Sequence, residues 1–362
     1  MVLIRPSRES RQPGSAAGDF ELWLDFHGVL ARVLTDTFEV RDRIAKDFSY
    51  FVSDPPGSGD PAYTVRTRQT EPDWDALPEL AARVQTPRNH CYSDGDLTYL
   101  DYFGSALAVY DRSRNYLTVE SVDTHRLHEI TYLSLLSRVG ELLERRGLHR
   151  LHALAVGRHG ETALFMMDSG GGKSTLGLGF LRSSDRYELI SEDSPLIDRR
   201  GRVHPFPLRF GVLPPLPEGI AEEHIYYIDR MEFKPKYLIA LSAFEGRIGQ
   251  GVSRPKYLFI GRRRLGRECV IRPASRWAGF KALTRQMIVG VGLYQGLEFL
   301  LRSSALDLIR GSRVFAGRLV AAVGLLARAR IQVVELGRDP DRNIERVIAF
   351  LDEQGLGRDV GA

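Results

Sequence analysis

Apolar and polar positions alternate with two periods along this chain, and the changes of period mark its elements. Glu21 to Thr35 (ELWLDFHGVLARVLT) is dense in branched and aromatic residues and predicts one long strand or two short ones. Thr37 to Val52 carries Phe38, Ile44, Phe48 and Phe51 at helical spacing and runs into a Pro/Gly/Asp loop, Ser53 to Pro61. YTVRTRQ follows as a strand, and Cys91 to Glu120 reads as a strand meander broken at Asp94-Gly95 and at Asp111 to Asn115. The clearest helix is His125 to Arg146. Leu127, Ile130, Leu133, Leu135, Leu136, Val139, Leu142 and Leu143 give it a broad apolar face, and Gly147 ends it.

Beyond this helix, Arg150 to Val156 predicts a strand carrying His152, followed by a turn over Gly157 to Gly160 and a second buried strand running up to Met167. Asp168 to Gly172 form a glycine-rich turn, and Lys173 onward reads as a helix. Tyr187 to Ser191 is a further buried strand ending in Glu192-Asp193, and Pro195 to Arg209 a hairpin turning at Arg200-Gly201. Leu213 to Glu232 is loop-rich, Lys236 to Phe244 and Pro255 to Ile260 predict strands, and Arg262 to Arg264 a basic surface loop. Ala282 to Leu301 and Leu319 to Leu326 are helical by pattern. IQVVELG predicts a last strand, and DRNIERVIAFLDEQG an amphipathic helix closed by Gly355.

The chemistry concentrates in Phe165 to Gly179, FMMDSGGGKSTLGLG. A strand, a glycine loop and a helix opening on Lys-Ser-Thr suit a triphosphate. Glycines let backbone N–H groups turn inward around the phosphates, and the helix N-terminus adds its partial positive charge. On this reading Asp168, Ser169, Gly170, Gly171, Gly172, Lys173, Ser174 and Thr175 hold the nucleotide, ATP, with Lys173 reaching the β and γ phosphates and Ser174 ligating Mg2+. The common pattern GxxxxGK[ST] asks for glycine where Met167 stands. Glu192 and Asp193, at the next strand end, supply the two carboxylates of magnesium-dependent phosphoryl transfer, Glu192 for the metal and Asp193 to accept a hydroxyl proton. Asp25, in LDFHGVL, lacks a second aspartate two residues on. His27 stands there, and Asp25 reads as an ordinary strand residue.

A length of 362 residues implies two domains or one large one, and 43% hydrophobic with 27% charged residues is an ordinary globular composition. The net charge of +4 fits a nucleotide site and an acidic partner; a nucleic-acid partner is not expected. Cys91 and Cys269 stand far apart, which indicates neither a disulfide framework nor a structural metal. With no signal-peptide pattern and no apolar run of membrane-spanning length, a cytoplasmic protein without a membrane partner is expected.

Three blocks resemble the bacterial HPr kinase/phosphorylase family and the shorter HPr-kinase-related kinases. His152 stands twenty-one residues before Lys173, with Asp168, Ser169, Gly170, Gly172, Lys173 and Ser174 in the pattern xDSGxGKS. Glu192-Asp193 occupies the place of a paired-acid motif, and GRVHPFPLRF that of a turn and a hydrophobic-proline edge. The chain differs from the family at Met167, at Thr175, where a glutamate is common, and at Glu192, where the first acid is usually Asp.

The resemblance implies an α/β fold with a mixed-sheet P-loop kinase core akin to phosphoenolpyruvate carboxykinase, using ATP and magnesium to phosphorylate a serine hydroxyl of a protein or peptide acceptor. It puts His152 beside the acids or a phosphate, and Arg209 is a candidate to balance transition-state charge. Family members often form rings, so a homo-oligomer stays open. The expected organisation is a disordered lead-in (1–18), an α+β N-terminal domain that recognises the acceptor (19–122), a connecting helix (123–147), the nucleotide-binding domain (148–300) and a C-terminal helical and strand extension packed on it (301–362). Of the N-terminal aromatics Trp23, Phe48, Phe51, Tyr99, Tyr102 and Phe103, most are expected in that domain's own core. Two other functions fit the same loop: a nucleotide-binding regulatory module without transfer activity, and a kinase of a small hydroxy metabolite.

Overall fold

The structure, a computed structural model, describes residues 19–228, 230–231, 235–289 and 305–357, with side chains of the helix that starts at 305 described from residue 312. The expected lead-in, and the part from 290 on of the helix expected over Ala282 to Leu301, lie outside the described residues. The fold is mixed α/β.

Glu21 to Thr35 forms two strands, Phe20–Phe26 and Val29–Thr35, joined by His27 and Gly28 at φ 52° and 84°. Two left-handed residues are what a two-residue hairpin turn requires, and Asp25 serves that turn by accepting the Gly28 N–H. This hairpin belongs to a nine-stranded sheet that also contains Tyr63–Arg68 and the meander from His90–Asp94 to Tyr116–Glu120. Helices α1 (Phe38–Asp47) and α2 (Thr124–Arg145) pack on each other and on its strands. Leu127, Ile130, Leu135 and Val139 of α2, the helix expected as a connector, share one apolar core with Leu24, Phe26, Ile44 and Phe48. Trp23, Phe51 and Tyr102 are also buried, whereas Phe103 is 52% exposed at a turn.

The second large sheet has six strands in the order Glu188–Ser191, Leu154–Arg158, Glu161–Met166, Arg254–Arg263, Arg330–Leu336 and Val270–Pro273. Glu161–Met166, Arg254–Arg263 and Arg330–Leu336 run parallel, Leu154–Arg158 and Val270–Pro273 run antiparallel to them, and Glu188–Ser191 pairs antiparallel with Leu154–Arg158. Alternate residues of Glu161–Met166 serve opposite faces. Ala163 and Phe165 point to the side covered by α3 (Lys173–Ser183) and the C-terminal helix Pro340–Glu353, while Leu164 and Met166 face Leu283, Met287 and Leu325. Those last three lie on α4 (Arg276–Leu283), the π-helical turn Thr284–Ile288 and α5 (Ala305–Arg328). Burial on both faces explains why this strand reads as an unbroken apolar run.

Three expectations are corrected. Arg150 to Val156 is not one strand: His149–Arg150 pairs with Leu196–Ile197, Leu154–Arg158 joins the six-stranded sheet, and His152 sits in the bend between them. The strand expected over Pro255 to Ile260 runs on to Arg263, held by pairing through Arg263↔Leu336, so the basic loop begins at Arg264. The loop-rich stretch contains a strand, Ile225–Ile228, which pairs with Lys236–Ile239, itself paired with Phe210–Val212. Among the described residues, no helix is long and apolar enough to cross a membrane.

A buried polar knot joins these parts. Asp47, at the end of α1 and fully buried, meets His128 Nε2 of α2 at 2.7 Å and Arg209 Nε at 2.9 Å, and accepts from the Tyr226 hydroxyl. Burial opposes the Asp47 charge, but Arg209 and His128 outweigh it and hold the carboxyl below its usual range. Burial pushes His128 down in spite of Asp47. A histidine depressed in the folded state leaves the unfolded chain binding more protons, so stability is full above the ordinary value of 6.5 and falls as the pH drops through it. Below the ordinary carboxylate value of 3.8, Asp47 adds a loss of the same sign. Asp47→Asn is expected to cost about 3–5 kcal/mol in urea unfolding, because it leaves the Arg209 charge buried without its partner. His128→Gln is expected to flatten part of the decline in urea midpoint between pH 8 and 5.5; an unchanged slope would contradict the assignment.

Candidate functional site

Glu161–Met166 delivers its C-terminal end to the glycine loop, and α3 starts at Lys173 directly after it. Gly170 and Gly172 have φ of 76° and 105°, a left-handed conformation that side chains disfavour. The helix opens with N–H groups that have no partner within it, turned toward the loop. Met167 is only 2% exposed, and its side chain lies against Gly261 of the neighbouring strand, where an added Cβ would stand 2.3 Å from Met167 Cγ. The residue that departs from the common loop pattern is thus a core side chain, with room left for it across the sheet.

Lys173, 7% exposed, turns its ammonium back under the loop. Nζ donates to the Met167 carbonyl at 3.0 Å and lies 2.7 Å from His152 Nε2 and 3.2 Å from Asp193 Oδ1. His152 Nε2 is 3.1 Å from the same Asp193 oxygen, and its Nδ1 is 2.9 Å from Gln286 Oε1. Gln286 then donates from Nε2 to Asp168 Oδ1 at 2.9 Å, and Arg285 pairs with Asp168 Oδ2 at 3.2 Å. This chain fixes hydrogens. An ionised Asp168 only accepts, so Gln286 presents its NH2 there and its oxygen to His152; His152 must carry hydrogen on Nδ1, and its Nε2 faces the Lys173 ammonium and Asp193 Oδ1.

The two acids differ in environment. Glu192 Oε1 is 3.5 Å from Ser174 Oγ, and burial, reinforced by the negative charge of Asp193, pushes its carboxyl up to about 8. Asp193, whose side chain is about one third exposed (35%), is opposed by burial but held below its usual range by the His152 hydrogen bond and the Lys173 charge. Ser174 and Glu192 therefore form one oxygen pair, and Asp193 belongs with Lys173 and His152. Among the described residues, no three His, Cys, Asp or Glu side chains cluster as a metal cage. The oxygen set suits Mg2+, which binds through one or two protein ligands and takes the rest from phosphates and water.

Asp168, Ser169, Gly170, Gly172, Lys173, Ser174, Thr175, His152, Glu192 and Asp193 all line one cavity of about 1040 Å3; Gly171 does not. Arg209 lines it too, 8% exposed, with its guanidinium 3.7 Å from the centre of the Tyr132 ring. Burial opposes the Arg209 charge, but Asp47 outweighs it and holds the guanidinium above its usual value. Its lining also includes the apolar Val212, Leu213, Pro215, Pro217 and Ile344, with Glu129 and Tyr132 of α2 and the cations Arg230 and Lys236. Sequence reasoning missed Gln286, Arg285, Arg230 and Lys236. The single signal for Gln286 was an amide in a largely apolar helical run, where it proves to be buried.

No protein-family model matches the chain, and no curated protein matches it.

The Gln286 bridge has a spectroscopic consequence. Nitrogen-15 spectra are expected to show hydrogen on His152 Nδ1, and Gln286→Leu to lower its occupancy there. A wild-type ring with a bare Nδ1 would contradict the bridge.

Proposed function

We propose that this protein is an ATP- and magnesium-dependent kinase that phosphorylates a serine hydroxyl of a protein or peptide, on a P-loop kinase core like that of the HPr-kinase-related family. The observation that carries the reading is the pairing across one cavity: Lys173 beside Asp193 and Ser174 beside Glu192, where the glycine loop meets the acid-bearing strand end. The loop N–H groups and the first turn of α3 receive the phosphates, and apolar lining residues such as Val212, Leu213 and Ile344 suit the face of a base. Ser174 and Glu192 are the residues to hold magnesium, which when bound neutralises charge on the phosphate oxygens.

Asp193 is the proton acceptor. The serine oxygen attacks the γ-phosphorus, the bond from that phosphorus to the β–γ bridging oxygen breaks, ADP leaves, and the hydroxyl proton passes to the Asp193 carboxylate. Lys173 is shared between the two roles. While it sits at Asp193 it keeps that carboxylate a weak base; once it turns to the phosphates, the carboxylate loses its neighbouring charge and becomes a stronger one. His152, fixed by Gln286, stays at Asp193 and orients it. Arg209, pinned by Asp47, adds positive charge toward the transferring group.

Lys173→Ala is expected to lower transfer from labelled ATP by about 10²–10³-fold while far-UV circular dichroism stays unchanged, the loss typical of one preorganised donor at a site of developing charge. A folded Lys173→Ala variant that keeps the wild-type rate would sink the reading.

A further inference from the structure

Helix α5 is apolar on two opposite sides. Ala321, Ala322, Leu325 and Leu326 pack into the core that also holds Leu164, Met166, Leu283 and Met287, beneath the six-stranded sheet. At about 100° per residue, the opposite arc of the helix runs through Phe315, Ala316, Leu319, Val320, Val323 and Ala327. All six are exposed, Phe315 and Val323 each at 53%. Ala316, Val320, Val323 and Ala327 repeat at spacings of four, three and four, the apolar seam of a helix that lies along another helix. A helix apolar all round is ordinarily buried all round, and the described residues leave this outer arc open.

The arc continues onto α4. Gly279 lets α4 approach α5 so closely that an added Cβ would stand 2.9 Å from Leu326 Cδ2. Beside that contact Trp277, 62% exposed, stacks on Phe280 with ring centroids 5.6 Å apart. Trp277, Phe280, Val323, Leu326 and Ala327, with Arg276, line a groove of about 340 Å3. From Phe315 to Ala327 the strip is about 18 Å long, at 1.5 Å per residue.

The charges around it have one sign. α4, the π-helical turn and the described part of α5 contain no Asp or Glu, whereas Arg276, Lys281, Arg313 and Arg328 are exposed on them, and Lys281 Nζ lies 5.5 Å from the centre of the Trp277 ring. That sign decides between occupants. Pairing two copies of α5, in either direction, sets arginine against arginine at both ends of the strip, and like charges across an interface are costly. An anionic lipid surface matches the charge but offers nothing to mesh with a four-three-four seam. A helix with carboxylates flanking an apolar seam satisfies seam, groove and charge together.

We infer that α5 and Trp277 form a docking face for an amphipathic helix of a partner protein, one that carries Asp or Glu beside its apolar seam. The face lies on the side of the six-stranded sheet away from α3, and none of its residues lines the cavity around Lys173, so the inference stands apart from the kinase reading.

The test titrates the full chain with two fluorescent helical peptides of about three heptads, both with Leu and Ala at the seam, one flanked by Glu and the other by Lys. The Glu peptide is expected to bind about tenfold more tightly, the scale of one charge-assisted contact, with the difference shrinking at high salt. Val320→Asp, in the middle of the strip, is expected to weaken its binding about tenfold. Arg313→Glu, which leaves the seam intact, is expected to narrow the preference for the Glu peptide. Leu265→Asp, at an apolar residue 88% exposed on a separate loop, is expected to change neither. Absent or equal binding of the two peptides, or affinities unchanged in folded Val320→Asp and Arg313→Glu, overturns the inference. The other occupants have their own signatures, and each of them overturns it too. A sedimentation mass that doubles with concentration and stays monomeric in Val320→Asp assigns the face to a second copy. Retention on phosphatidylglycerol vesicles without a peptide preference assigns it to a lipid surface. A lower urea midpoint for Val320→Asp, with no peptide bound by the wild type, means that the chain's own residues cover the arc.

Discussion

Buried backbone N–H groups need acceptors, and at Leu151, His152 and Ala153 three consecutive ones find them on two segments far apart in sequence. Leu151 donates to the Pro195 carbonyl, His152 to that of Gln286 and Ala153 to that of Asp193. These bonds tie the acid-bearing loop and the π-helical turn to the place where His152 stands, so each group facing Lys173 is located by main chain as well as by side chain. Backbone bonds set the distances from Lys173 to His152 and Asp193 before any ligand arrives.

A second constraint comes from the N-terminal half. Asp47 is more than 150 residues from Arg209 in sequence and touches it in the core, while Tyr132 of α2 covers the guanidinium face. The nine-stranded sheet and its two helices thereby hold one wall of the cavity. Glu129 and Tyr132, which line the cavity, sit on the same helix that packs against that sheet.

The strand, loop and helix around Lys173 were legible because their chemistry demands particular residues side by side, and glycines at φ 76° and 105° bear out the turn. The acid pair was legible for the same reason. What stayed hidden depends on distance along the chain: Gln286 reaches back 134 residues to His152 and 118 to Asp168, and no local period records that. The bend at His152 was hidden because Arg150 to Val156 has the composition of a strand, and the competing tertiary hydrogen bonds have no sequence signature. Met167 could be seen as a departure from a glycine pattern but not explained, since its partner is the absence of a side chain at Gly261. Arg209 could be picked out as a candidate cation, but its burial against Asp47, distant in sequence, could not.

The strand Arg330–Leu336 fills the slot between Arg254–Arg263 and Val270–Pro273. Its two neighbours therefore leave the ribosome first, with a gap where the sheet will close. At roughly 5–20 residues per second the gap stays open for several seconds, because the whole of α5 must be made before the missing strand appears. During that time the inner edge of Arg254–Arg263 is an unpaired row of N–H and C=O groups lined with Tyr257, Leu258 and Phe259, the kind of edge that recruits other strands. Synthesis of this protein thus passes through an interval in which aggregation competes with folding, and the sheet that carries the glycine loop is completed late.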